Sequence, residues 1–360
     1  MREAPPPTTA DRPSAPGDRG PKQTTRPSWL LIVGSLAVAL VLLAVLVSVV
    51  GVGDVFATLA SANRVALVGL LVLALLWILA WGYSLFLVLR ALAVPASIAR
   101  SFLLYAVMLF VGTIVPFSVI GAEPIAAMIV ARRGGTTYER GLAAVASVGV
   151  LNYLPAPVLA VVGLAYFVAT ATLGLRTELS VLSLLAVTLL VLVAGVLAWR
   201  YRHRLSVALL AAVTVIERPL ARRLPGVRLP DPEHLACRAE AVVESIDRIA
   251  ADRRLLLVGA CTSVAGWLSL AVALWLSLWA VGAGVTLGST LFVVPLATVT
   301  DFVPLPGGVG SVDAALVLLV VAATGVPAAT ATAAVLVYRA ATLLLPLLVG
   351  GVAALALQFT

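Results

Sequence analysis

From Leu30 to Val50 the chain runs for twenty-one residues without a charged side chain, and similar stretches recur up to Leu357. A helix rising 1.5 Å per residue needs about 20 such residues to cross a hydrocarbon core about 30 Å thick. The runs are continuous, with no apolar and polar alternation, so they predict helices and exclude a β-barrel. Apolar residues make up 62% of the 360 and charged residues 11%, against about 25% charged in soluble chains. Two soluble domains, which the length alone would permit, are therefore excluded. The sequence reads as an all-α polytopic membrane protein.

Residues 1–28, rich in Pro, Ser and Thr, form a tail with no apolar periodicity to bury. A membrane domain is expected over 29–357. The run from Leu30 is longer than a signal-peptide core of about 7–15 residues and has no small-residue cleavage site, so it is retained as the first span. Further spans are predicted at Val65–Leu89, Gly141–Ala169, Leu179–Trp199, Leu255–Val281 and Ala328–Leu357, about six in all. Two other apolar regions are interrupted. Ser101–Ala131 is broken at Val115–Ser118 and again at Gly121–Pro124. Gly288–Ala323 is broken by the stretch Asp301–Gly310. Proline removes a backbone donor and glycine permits turns, so each region is predicted to be a re-entrant hairpin of two half-helices.

The arginines orient this arrangement. Arg90 and Arg100 precede the first broken region, and Arg132, Arg133 and Arg140 follow it, so both its ends belong on the positive side. Five basic residues in the tail and eleven in loop 200–254 join them, while Arg64 and Arg176 lie opposite. Both termini are expected in the cytoplasm. A span, a broken hairpin and a long span then describe residues 65–169, and the same order describes 255–357 in the opposite orientation. Inverted repeats with interrupted helices are a feature of secondary transporters. Loop 200–254 carries a predicted amphipathic helix over Glu233–Arg253, suited to the membrane interface or to capping the bundle. Its basic residues lack interleaved aromatics, so nucleic acid is not expected as a partner.

Ionisable residues inside apolar segments are costly and mark function by default. Glu123 lies at the first break, Asp301 and Asp313 flank the second, and Arg339 sits about 16 Å along the last span. Arg339 keeps its charge and needs a compensating group. Asp301 and Glu123 are the expected carboxylates, either as permanent ion-pair partners or beside a lipid phosphate held by Arg339. Asp313, near a half-helix start, reads as an N-terminal cap. Pro306, Gly307, Gly308 and Gly310 form no nucleotide loop, since no Gly-Lys-Ser/Thr follows. Their amides could still face an anion. Asn152, with Tyr153, Pro155 and Pro157 after it, predicts a polar kink, serving either helix packing or substrate contact. Cys237, Cys261, His203 and His234 form no metal-binding or redox spacing, so no cofactor is expected. No Ser–His–Asp arrangement or large extramembrane domain supports an enzyme.

The stretch Asp301–Arg339 resembles the second conserved region of the lysylphosphatidylglycerol synthase transmembrane-region family, the flippase-like domain of bacterial membrane proteins. Pro306–Gly310, Asp313, Gly325–Pro327, Tyr338 and Arg339 match its Pro-Gly-Gly-hydrophobic-Gly turn, acidic residue, Gly-Val-Pro and Tyr-Arg pair in order and spacing. Pro116 to Gly121, then Glu123 to Gly134, is similar to the first region, a Pro–Gly–acid turn with a basic helix end. Where that family carries an Arg and Asp pair, this chain reads Gly149 to Asn152. The resemblance covers roughly residues 30–357. It implies an inner-membrane protein that translocates an anionic or polyprenyl-linked lipid, without the aminoacyl-transferase domain that makes the lipid in bifunctional members. Membrane lipids are the expected partners. The alternatives are a scaffold that binds an envelope-synthesis enzyme through loop 200–254, and an intramembrane lipid-modifying enzyme.

Overall fold

The computed structural model describes residues 63–114, 118–170, 251–303 and 305–356, with isolated positions between 186 and 200. The tail, the first expected span, the helix expected over Glu233–Arg253 and most of Leu179–Trp199 lie outside the described residues. Those residues contain helices and no strand. Four helical stretches are long and apolar enough to cross a membrane: Arg64–Ala91, Tyr138–Ala169, Arg253–Ala280 and Ala328–Ala356. The chain is an all-α polytopic membrane protein.

Helix α1 (Arg64–Ala91) begins where the Asn63 side chain accepts from the Val65 and Ala66 amides. Val68, Leu71, Val72, Leu75 and Leu79 are exposed along one flank. An apolar flank of this length suits lipid rather than water. The opposite face buries Leu70, Ala74, Ile78, Leu85 and Leu89. Helix α2 (Ile98–Ile114) and helix α3 (Ser118–Gly134) pack on each other. Helix α2 is described to Ile114 and α3 from Ser118; residues 115–117 between them, which hold Pro116, are not described. The second break expected in this region does not occur. Gly121–Pro124 continues as helix in α3, with Pro124 inside it; an interior proline costs one backbone bond and crowds the carbonyl four residues back, which can bend a helix without ending it.

Helix α4 (Tyr138–Tyr153) starts three residues earlier than expected, since the Thr137 hydroxyl accepts from the Arg140 amide. The expected kink falls at Leu154–Pro155, before helix α5 (Ala156–Thr170). The kink frees the Asn152 carbonyl, which accepts from Ser263 Oγ and Trp267 Nε1, each at 2.7 Å. Both donors lie on helix α6 (Arg253–Ala280), whose Asp252 cap accepts from the Arg254 and Leu255 amides. Helices α1 and α6 pack on each other. At that crossing Ser84 Oγ and Thr262 Oγ1 are 2.8 Å apart, and Gly266 lets the Trp81 indole reach the helix surface. Small residues and hydroxyl pairs of this kind hold helices together where lipid offers no hydrophobic drive.

After α6 come helix α7 (Leu287–Ala297), a 3-10 turn at Thr298–Phe302, a second at Pro306–Gly308, and helix α8 (Ser311–Thr324). The final span is helix α9 (Ala328–Arg339), a π-helical turn at Ala340–Leu344, and helix α10 (Leu345–Ala356). This order repeats that of α1 to α5 at a nearly constant spacing. The caps Asn63 and Asp252 are 189 positions apart, as are Ala93 and Gly282, both with positive φ after a first long helix. The starts of α2 and α7, Ile98 and Leu287, keep that spacing. Gly135 and Gly325, each with positive φ before a last span, are 190 apart. Packing follows the same pattern, with α5 against α7 and α10 against α2.

Candidate functional site at the second break

Helix α7 leaves carbonyls unpaired at its end. Thr298 Oγ1 donates to the Pro295 carbonyl and Thr300 Oγ1 to the Ala297 carbonyl, each at 2.7 Å. The chain then turns through Gly307, Gly308 and Gly310, with φ of 58°, 63° and 88°. Glycine is required here on two counts. The φ values disfavour other residues, and a Cβ at Gly308 would lie 2.9 Å from Asp301 Oδ1.

The turn delivers Asp313 into the first helical turn of α8, where its Oδ2 accepts from the Gly310 amide at 2.7 Å. This is the N-terminal capping role expected of it. The other oxygen, Oδ1, lies 2.7 Å from Arg339 Nε. The N–H is not directed along that line, so the contact is an ion pair rather than a linear hydrogen bond. Arg339 Nη2 donates to the Gly307 carbonyl. One guanidinium thus ties α9 to the glycine turn and to α8. The expectation that Asp301 or Glu123 pairs with Arg339 is corrected: Asp313 does so, because the glycine turn folds the start of α8 onto the end of α9.

The glycine amides do not converge on an open position as expected. Gly308 N–H bonds to the Leu305 carbonyl, Gly310 N–H to Asp313, and Gly307 presents its carbonyl to Arg339. A guanidinium carries five donors, and these two contacts leave most of them for a further ligand.

Beside the pair is a cavity of about 120 Å³. Its lining includes the aromatic residues Trp77, Trp81, Trp267 and Tyr153 together with Asp301, Tyr338, Arg339 and Thr342. The rings form a continuous edge-to-face group, with centroids 5.6 Å apart for Trp77–Trp81, 5.5 Å for Trp81–Trp267 and 5.8 Å for Tyr153–Trp267. The Trp77 indole N–H is buried without a hydrogen-bond partner among the described residues. Asp301 shares the cavity with Arg339 and makes no hydrogen bond or ion pair among the described residues. The Tyr153 hydroxyl lies within electrostatic range of both Asp301 and Glu123.

Asp301, Gly307, Gly308, Gly310, Asp313, Tyr338 and Arg339 therefore meet at one place, with Pro306 in the backbone of the same turn. Gly121 and Glu123 lie in the first turns of α3, which packs against both 3-10 turns. Asn152 is buried where α4 meets α6. Pro116 lies outside the described residues. The sequence reading passed over Trp77, Trp81, Trp267 and Thr342. Trp77 and Trp81, four residues apart in a span of Leu, Val and Ala, were the available signal. Among the described residues no group of His, Cys, Asp and Glu could hold a metal ion.

The family model of the lysylphosphatidylglycerol synthase TM region matches residues 32–350. No curated protein matches the chain significantly. The chain belongs to the lysylphosphatidylglycerol synthase TM-region family, a flippase-like group of membrane proteins.

Proposed function

We propose that this member of the family carries the headgroup of an anionic or polyprenyl-linked lipid across the bacterial cytoplasmic membrane, without covalent chemistry of its own. The observation that carries the reading is Arg339. It lies near the middle of a 29-residue span, faces a cavity and keeps unused donors beside its ion pair. A headgroup phosphate entering there meets a fixed cation in a low-dielectric surround, where charge-assisted hydrogen bonds are strong. The acyl or polyprenyl chain stays outside in lipid.

Reconstitution into vesicles with labelled anionic phospholipid or polyprenyl phosphate tests this. The protein should move one of these lipids faster than protein-free vesicles do. Arg339→Lys, which keeps the charge but loses the planar fork, should slow it roughly tenfold, the loss of one charge-assisted hydrogen bond. Transbilayer movement no faster than in protein-free vesicles removes the reading.

In this reading the pairs α2–α3 and α7–α8 are re-entrant hairpins entering from opposite sides, and both termini are cytoplasmic. The mutual packing of each pair and the arginines flanking the first support it. Single cysteines beside Arg133 and beside Gly325, with Cys237 and Cys261 replaced, should react with an impermeant thiol reagent from opposite sides. Labelling from one side overturns the inverted arrangement.

A further inference from the structure

The matched spacing of the two halves exposes a difference between them. Asp313 stands twelve positions before Gly325 and Arg339 fourteen after it; Glu123 and Gly149 stand in the same places about Gly135. Glu123 is thus the counterpart of Asp313, and Gly149 of Arg339. The geometry agrees. A Cβ built on Gly149 would have Glu123 Oε1 4.0 Å away, and no other atom that close among the described residues. The second half holds a carboxylate against a guanidinium. The first half holds a carboxylate against an absent side chain.

Glu123 makes no hydrogen bond or ion pair among the described residues. Asn152, one helical turn from Gly149, is 2% exposed, and its side chain interacts with the Tyr105 hydroxyl, while its Oδ1 accepts no hydrogen bond among the described residues. Among the elements packed on α3, α4 contributes Tyr153, the first 3-10 turn Asp301 and α2 Tyr105, while the Pro306–Gly308 turn has no titratable side chain. Glu139 and Arg140 lie at the far end of α4, and Arg132 and Arg133 at the far end of α3. Among the described residues no positive side chain is paired with Glu123. Since Asp313 neutralises Arg339, Asp301 and Glu123 leave the region around the cavity acidic, and an entering phosphate would add to that charge.

We propose that Glu123, in the space left open across from Gly149, binds a small monovalent cation, H⁺ or Na⁺, and that its occupancy admits an anionic headgroup to the Arg339 cavity. The second clause rests on the translocation reading; the first does not. The cation takes the place that a guanidinium fills in the other half, and supplies the charge that keeps carboxylates and phosphate from repelling one another.

Difference infrared spectra of the purified full-length protein test the site without lipid movement. One arm titrates Na⁺ at fixed pH, and the other steps pH with Na⁺ absent; the arm that responds identifies the ion. A carboxyl band should respond in the parent and in Gly149→Ala, and be missing in Glu123→Gln. Gly149→Arg, which places a guanidinium beside Glu123, should weaken the apparent cation affinity roughly tenfold or more. A response unchanged in Glu123→Gln, or absent from the parent in both arms, overturns the proposal. In vesicles, an imposed gradient of the same cation should accelerate lipid movement in the parent and not in Gly149→Arg. A Glu123-dependent band in a protein that moves no lipid keeps the site and removes translocation. Lipid movement that ignores the gradient despite the band overturns the coupling.

Discussion

Asp313→Asn should lower the stability of the folded protein by about 3–5 kcal/mol, the loss reported when one partner of a buried ion pair is removed. Asparagine keeps a side-chain oxygen for the Gly310 amide, so the cap survives and the change isolates the charge. Arg339 cannot shed its proton and keeps, among the described residues, one hydrogen bond to the Gly307 carbonyl and the more distant charge of Asp301. The readout is folded yield and the midpoint of denaturation in mild detergent. Asp313→Asn combined with Arg339→Gln should recover part of the loss, because neither side is then a buried charge. A double variant no more stable than Asp313→Asn would show that the pair is uncoupled. Neutralising Asp301 instead should cost less, since it forms no ion pair among the described residues.

Gly163→Val and Gly350→Val should each force two helices apart. A Cβ at Gly163 would lie 2.7 Å from the Phe292 amide nitrogen, and one at Gly350 would run into the Ala106 carbonyl oxygen. Backbone atoms cannot rotate away as a side chain can, so α5 must leave α7 and α10 must leave α2. Overpacking typically costs about 1–3 kcal/mol, and the upper end is expected here. Gly112→Ala is the control, because among the described residues nothing lies within 4 Å of its Cβ position. It should be neutral or gain up to about 1 kcal/mol from helix propensity. Melting points that leave all three variants alike would mean these backbones do not approach so closely.

The described long spans were legible because run length is itself a physical requirement. Val65–Leu89 became Arg64–Ala91 and Leu255–Val281 became Arg253–Ala280, with Asn63 and Asp252 fixing starts that hydropathy only approximates. The kink after Tyr153 was legible from its prolines. The fate of Pro124 was not, since an interior proline can either bend a helix or end it, and packing on neighbouring helices decides which. Arg339 stood out as a charge needing compensation, but the choice among three carboxylates depends on distances created by the glycine turn. Asp313 was read as a cap, and it is one; sequence spacing gave no sign that its second oxygen would face α9. The π-helical turn after Arg339 left no mark in composition at all.

That π-helical turn has a geometric consequence. A π turn inserts residues into the winding of a helix, so the stretch beyond Leu344 is rotated relative to where an unbroken helix would have carried it. Helix α9 can therefore turn one face to α6 and α8, while α10 turns a different one, with Gly350, to α2. The last span is one rod in length and two in azimuth. Adding or deleting a single residue within 340–344 would preserve the helix and its reach across the membrane, yet swing α10 by about 100°, one residue's turn. Leu348 and Val352, now outward, would move off the lipid side, and Gly350 would no longer face Ala106.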